Sequence, residues 1–531
     1  MDEREKKQTK GPMMTDRHIL AIDCGTQSLR AMIFSARGDV LARVKKSYSP
    51  YVSPVPGRAE QDPEIYWNSL GAACRELKQN MPRVFEKIAG VGVTTLRNTL
   101  VNLDKQGRVL RPAITWMDQR RADHTFKGTG IMGCGFFIPV LGQKLKDIQA
   151  QGKCNWIMQH QGDIWKNTHK YVQVSGFLHH RLTGEFADAL ACQIGHLPFD
   201  YKKQCWAKSP FSLAKALFPV PEKKLPRLVP AGDIIGTVSR SASDATGIAA
   251  GTPVVACGSD KGCETLGAGV MDRHMVSLSF GTTATVQTAS DRYFETLPLM
   301  PPYPAPMPGY YNPEVEIFRG FWMISWFKDQ FAHKEVAEAQ ALGVPAEQIL
   351  DRCLKQTSPG AMGLMVQPYW GPGLDYPGAK GAMIGFGDVH TRDHVYRAVI
   401  EGLGFALLAG MEKIEKKSGV RVEKAVVSGG ASQSDRICQI ASDIFNRPMA
   451  RGRTHETSGL GAAIITAKGV GIYPDIAAAA GHMIQVKTVF EPDPDNAALY
   501  RQLYSRVYRK MYPALAHLYA QIQKITGYPG I

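Results

Sequence analysis

Four short stretches of this sequence group residue types suited to holding phosphate and moving a proton. In Asp23-Cys24-Gly25-Thr26-Gln27-Ser28, Gly25 lets the backbone approach a ligand closely. The N–H groups and hydroxyls of Thr26, Gln27 and Ser28 can ring a phosphate as a nest. Asp23 beside that ring is a hard oxygen donor of the kind magnesium takes, usually through water. Phe280-Gly281-Thr282-Thr283 repeats the design far along the chain. In Ser428-Gly429-Gly430-Ala431-Ser432-Gln433-Ser434, a strand enters a helix through paired glycines, where bare backbone and a helix N-terminus can accept phosphate or let adenine and ribose lie flat. Gly258-Ser259-Asp260 sets a carboxylate between an apolar run and the helical run 261–266, a position that suits either a general base or a helix cap. Each stretch also has a plain reading as an ordinary hairpin or turn, in a chain with 52 glycines.

These residues need strands to carry them. The apolar runs on either side of Gly25-Thr26 predict a hairpin over 20–34, and Gly38-Asp39 predicts a second turn into a strand at 40–44, giving a three-stranded meander. Asp62-Pro63-Glu64 starts a helix with apolar residues at Tyr66, Trp67, Leu70 and Leu77, its proline sitting in the first turn. A buried strand over 88–93 follows, and this alternation argues for an α/β layer architecture. The pattern over 155–185 is helical and closes on Thr183-Gly184. The proline-rich, basic stretch 206–230 is expected to be a connection, and 252–257 to be a strand. A second apolar hairpin over 276–286 makes a weak internal repeat, so two related domains are expected, with a boundary near 269–273. A surface loop is expected at 298–308, and helices at 321–331, 392–414 and 476–483.

At 531 residues the chain exceeds what one core usually serves. It is 44% hydrophobic and 21% charged, a globular balance. No run of eighteen uncharged apolar residues argues for a membrane span. The polar start lacks the apolar core of a signal peptide, and the first sixteen residues are expected to be a disordered tail. The ten cysteines include no Cys-x-x-Cys, which favours reduced, buried thiols in a cytoplasmic protein over disulfides or zinc. The formal net charge of +15 is spread through the chain without a basic block interleaved with aromatics. That distribution fits a solvated surface that steers anions, not a nucleic-acid binder.

Taken in order, the four stretches resemble those of the FGGY carbohydrate kinases, a branch of the actin, hexokinase and heat-shock ATPase superfamily. The resemblance runs from about 19 to 473. It includes Lys153-Cys154-Asn155-Trp156-Ile157, with cysteine in place of a larger apolar residue, and Gly381-Ala382-Met383-Ile384-Gly385-Phe386 followed by His394-Val395 and Ala398-Val399-Ile400-Glu401. It implies two related actin-like (ribonuclease H-like) α/β domains flanking a deep cleft, an N-terminal one over 17–269 and a C-terminal one over 270–531. It implies ATP with Mg2+, the latter at Asp23. The first phosphate motif would be Gly25, Thr26, Gln27 and Ser28, the second Gly281, Thr282 and Thr283, and the adenosine motif Gly429, Gly430, Ala431 and Ser434. Asp260 would be the general base, with a small-molecule sugar or polyol held by Arg97, Asn98, Trp116, Asp118 and Lys261. Arg120 and Arg121 are expected at the surface. The resemblance allows a homodimer, on which composition is silent.

Three positions depart from relatives. Asn98 stands where glycerol kinases carry glutamate and pentulose kinases histidine. Lys261 stands where glycerol kinases carry glutamine; it either favours an acidic substrate or pairs along the helix with Glu264. Ser434 replaces an asparagine near the adenine. The alternative in function is a nucleotide-driven ATPase of the same superfamily that acts on no sugar.

Overall fold

The computed structural model describes residues 17–123, 139–209, 211–371, 376 and 378–528, and the tail expected over 1–16 lies outside them. The chain forms two compact units. The first holds residues up to Gly267 together with 304–310 and 458–484; the second holds 268–303, 311–457 and 485–531. A single division at 269/270 therefore leaves out two returns of the chain to the first unit.

Strands β1 (His18–Cys24), β2 (Ser28–Phe34), β3 (Val40–Ser47), β4 (Ile88–Thr95), β5 (Ile234–Thr237) and β6 (Pro253–Ser259) build the first unit's sheet in the order β3-β2-β1-β4-β6-β5. The three central strands β1, β4 and β6 are parallel, and the others run antiparallel to their neighbours. The second unit repeats the scheme with β7 (Met275–Phe280), β8 (Ala284–Gln287), β9 (Glu314–Ile317), β10 (Lys424–Ser428), β11 (Met449–Gly452) and β12 (Val486–Phe490), ordered β9-β8-β7-β10-β11-β12. Its parallel strands are β7, β10 and β11. The repeat expected from two hairpins is thus a repeat of the whole sheet, apart from one edge: β5 precedes its partner in the chain, whereas β12 follows.

Central strands with both faces covered read as continuous apolar runs, and all seven residues of β1 are buried. Alternation along β4 shows how the two faces are filled. Val91 and Val93 point into a core with Tyr66, Leu70 and Phe177. Gly90 and Gly92 face the other way, where an added Cβ would lie 2.5 Å from Val470 Cγ1 and 2.1 Å from Thr466 Oγ1. Bare backbone on β4 is what admits the helix Thr457–Gly469, and hence part of the segment 458–484, to the first unit. In the second unit, Val276, Leu278 and Phe280 of β7 pack with residues of the helix Arg392–Ser418.

The helix begun by Pro63 runs Glu64–Asn80, and Gly184, with φ 81°, ends the helix Val174–Thr183. The helical pattern over 155–185 is broken, however. Helices Lys153–His160 and Gly162–Asn167 are followed by a strand, Lys170–Gln173, paired antiparallel with Leu100–Leu103. A run as short as Tyr171-Val172 fits either period, and the strand partner decides it. The stretch 206–230 contains the helix Leu213–Leu217 and the strand Arg227–Val229. The proline-rich segment 298–308 is not all surface: Ala305 and Met307 are buried, and Pro306 packs on Gly258. Among the described residues no helix is long and apolar enough to cross a membrane, and the described cysteines are free and, except Cys205, buried.

Candidate active site

In the first unit, the carboxyl ends of the three parallel strands lie side by side: Asp23 pairs with Thr94, Cys24 with Thr95, and Thr95 with Ser259. Ligands of open α/β sheets gather at such ends. The first phosphate stretch leaves β1, Arg97 follows β4, and Asp260 follows β6, so residues far apart in sequence share one edge.

The turn after β1 is closed by Gly25 N–H donating to Ser28 O at 2.9 Å, and Tyr48 Oη donates to Gly25 O at 2.7 Å. Gly25, Thr26, Gln27 and Ser28 remain at least partly exposed. Asp23 is 7% exposed and faces Arg30, whose Nη1 lies 3.1 Å from Asp23 Oδ2. Trp116, 44% exposed, donates from Nε1 to Thr26 Oγ1 at 3.1 Å. This bond joins the expected sugar stretch to the first phosphate turn.

Asp260 opens the helix Asp260–Gly267. The cap of that helix is Ser259, whose Oγ accepts from Gly262 N–H at 3.2 Å, while Asp260 Oδ1 accepts from its neighbour Lys261 N–H at 2.8 Å. The Asp260 carboxylate also lies 3.9 Å from Arg97 Nε. Burial pushes its carboxyl above the ordinary aspartate value, against the opposing charges of Arg97 and Lys261. Lys261 reaches Glu264 Oε2 at 2.7 Å, the intrahelical pair that was one of its two sequence readings.

Asn98 has φ 52° and uses its own side chain within the protein: Oδ1 accepts from His196 N–H at 3.4 Å. Its carbonyl accepts from Lys153 Nζ, and burial lowers the Lys153 ammonium to about 7. Lys153 carried no role in the sequence beyond its motif. The structure makes it the support of the turn that bears Arg97.

Asp118 requires a correction. Its side chain is fully buried, and both oxygens are engaged: Oδ1 by Arg120 N–H and Nε at 3.0 and 2.7 Å, Oδ2 by Ala59 N–H and Arg120 Nη2 at 2.6 and 2.8 Å. No acceptor position is left for a sugar hydroxyl. Arg120, expected at the surface, has a side chain only 4% exposed that packs 4.5 Å over the Trp156 ring, while Arg121 is exposed as expected. A chain of charges runs from Arg111 through Glu60 and Arg120 to Asp118. Glu60 and Arg111 escaped sequence reasoning because their partners lie far off in sequence. Asp118→Ala is expected to lower stability by about 1–3 kcal/mol, the cost of leaving buried guanidinium donors unsatisfied, and urea unfolding measures it.

In the second unit the other two stretches meet. The turn 281–283 joins β7 to β8; Gly281 O accepts from Phe321 N–H at 3.0 Å, and Thr282 is exposed. Ser279 on β7 pairs with Ser428 on β10, so both loops leave the same edge of the sheet. Gly429 has φ 87° and ψ 175°, and a Cβ there would lie 2.8 Å from the carbonyl carbon of Phe280. Gly430 faces open space. Ala431 is buried. Ser434 caps the helix Asp435–Phe445 by accepting from Ile437 N–H. Among the described residues no group of three or more His, Cys, Asp or Glu is placed to hold a metal.

Comparison with known proteins places the chain in a family and agrees with its two-unit α/β fold. Residues 18–267 match the N-terminal domain of the FGGY family of carbohydrate kinases, and 276–470 match its C-terminal domain. An uncharacterized sugar kinase of Escherichia coli is 28% identical over 507 residues, covering 94% of each chain. A xylulose kinase of Lactococcus lactis is 25% identical over 519 residues, covering 95% of this chain and 98% of its own. The crystal structure of gluconate kinase from Lactobacillus acidophilus superposes with a TM-score of 0.79 at 21% identity, over 95% of this chain and 99% of its own. The protein is a phosphotransferase with an alcohol group as acceptor. It belongs to the FGGY family of carbohydrate kinases.

Proposed function

We propose that the protein transfers the γ-phosphoryl group of ATP to a hydroxyl of a sugar or polyol of the xylulose, ribulose or glycerol type, with Asp260 as general base. One observation carries this reading: a carboxylate made more basic by burial stands beside Arg97 at the strand edge that also bears the phosphate-binding turn. Asp260 takes the acceptor's hydroxyl proton as its oxygen bonds to the γ-phosphorus and the bond to the bridging oxygen of ADP breaks. In the first unit Gly25, Thr26, Gln27 and Ser28 form a phosphate-binding turn; in the second, Gly281, Thr282 and Thr283 form another, and Gly429, Gly430, Ala431 and Ser434 hold the adenosine. Trp116 offers an apolar face to the sugar and Arg97 lines its polar side, whereas Lys261 is engaged by Glu264 and the Asn98 side-chain oxygen Oδ1 by His196 N–H. The near-buried oxygen donors of Asp23 fit magnesium held through water; when bound, the ion neutralises charge on the phosphates. A cytoplasmic setting fits the free thiols.

A coupled ADP-release screen over ketopentoses, polyols, aldoses and sugar acids tests the reading. ADP release that rises only with an added acceptor supports it, and equal release without one favours the sugar-free ATPase. Turnover requires the ionised base, so kcat/KM falls as pH drops through the Asp260 value, which lies above that of an ordinary aspartate. Arg97→Leu removes the main charge holding that value down. The acid limb of the pH profile is then expected to move to higher pH.

A further inference from the structure

The proposed nucleotide loop touches a carboxylate that none of the motifs contains. Asp351 lies on the helix Ala346–Gln356, which buries Ile349, Leu350, Cys353 and Leu354. Arg397 fixes the end of that helix: Nη2 donates to Leu354 O at 2.6 Å and Nε to Thr357 Oγ1 at 2.8 Å. Asp351 itself stands half-buried at the rim, where its Oδ1 accepts from Ser434 Oγ at 2.6 Å. Because Ser434 Oγ also accepts from Ile437 N–H, its proton is directed to Asp351. Oδ2 takes no hydrogen bond from the described residues and is left to accept from elsewhere.

The loop has a direction. Gly429, at one end, abuts the phosphate turn at Phe280 and Gly281, Gly430 is open, and Ser434 closes the other end. A nucleotide with its phosphates at the turn and its ribose over Gly430 brings its base to Ser434 and Asp351.

We propose that Asp351 selects the base, accepting a hydrogen bond from the exocyclic amine of a 6-aminopurine and repelling the oxygen of a 6-oxopurine. This assignment rests on the nucleotide reading of the 429–434 loop and adds to it a residue 78 positions upstream of Gly429. A carboxylate acceptor is lost to a 6-oxo base in two ways at once, since the donor disappears and a lone pair takes its place.

The test is titration calorimetry of the full chain with Mg-ATP, Mg-ITP and Mg-2′-deoxy-ATP, for the wild type, Asp351→Asn and Ser434→Ala. The wild type is expected to prefer ATP to ITP by about 10- to 100-fold and to bind 2′-deoxy-ATP like ATP. Asp351→Asn, which keeps the shape but supplies an amide donor, should shrink the preference to within a few fold. Ser434→Ala, which frees the carboxylate to turn, should fall between. An unchanged ATP-to-ITP ratio in Asp351→Asn overturns the assignment. So does a loss confined to the distinction between ribose and deoxyribose, which would make Asp351 a ribose ligand. Failure of the wild type to bind ATP at all would instead bring down the nucleotide reading, with this assignment inside it. Should Asp351→Asn not fold, Asp351→Ser carries the same comparison.

Discussion

Asp260→Asn is expected to lower turnover roughly 10²- to 10⁴-fold, about 3 to 5 kcal/mol of barrier, while ATP still binds. The amide keeps the shape of the side chain and can still accept from Lys261 N–H, so the helix start survives, particularly as Ser259 supplies its cap. What disappears is an acceptor for the hydroxyl proton. The acid limb of the pH profile should vanish with it, because the carboxyl whose raised pKa sets that limb is gone. Steady-state kinetics together with a binding isotherm make the measurement. Turnover within a few fold of wild type, with ATP bound, would remove Asp260 from the chemistry and leave it a partner of Arg97.

The second large effect is expected in the other unit. Gly429→Ala asks an alanine to adopt φ 87° and ψ 175°, a region open in practice only to glycine, at about 1–3 kcal/mol. It also drives a methyl into the Phe280–Gly281 backbone, where overpacking adds about 1–3 kcal/mol. Because that backbone begins the turn 281–283, the strain falls on both loops proposed to hold the nucleotide, and a lowered unfolding midpoint should accompany at least tenfold weaker ATP binding. Gly430→Ala is the control. Its methyl meets open space and an ordinary backbone angle, so stability should hold while the KM for ATP rises. Equal behaviour of the two variants would mean that Gly430 is not on the ligand's side of the loop.

Much of the fold was legible in the sequence, because the Gly-Thr turns are contiguous and sit where apolar runs end. The hairpin at β1 and β2, its counterpart at β7 and β8, and the position of Asp260 after β6 all follow from reading apolar runs against Gly-Thr punctuation. What escaped reading depends on pairs remote in sequence. Asp118 looks like a free acceptor until Ala59 and Arg120 are found on its oxygens. Arg120 looks like a surface cation until Glu60 and the Trp156 ring close over it. Asp351 carries no local signature, as its partner Ser434 is 83 residues away. The strand Lys170–Gln173 was hidden for a related reason, since only pairing with Leu100–Leu103 separates it from its helical surroundings.

The return of residues 458–484 to the first unit bears on how the chain is made. Gly90 and Gly92 wait for Thr466 and Val470, and 190 residues, 268 to 457, are synthesised in between. At about 5–20 residues per second a ribosome needs roughly 10–40 s to bridge them. For that interval the nascent N-terminal portion carries an uncovered apolar groove over β4, a natural landing place for a chaperone. A recombinant fragment ending at Gly267 would carry the same groove permanently, so aggregation of that fragment, relieved by supplying 458–484 in trans, is the behaviour this topology dictates.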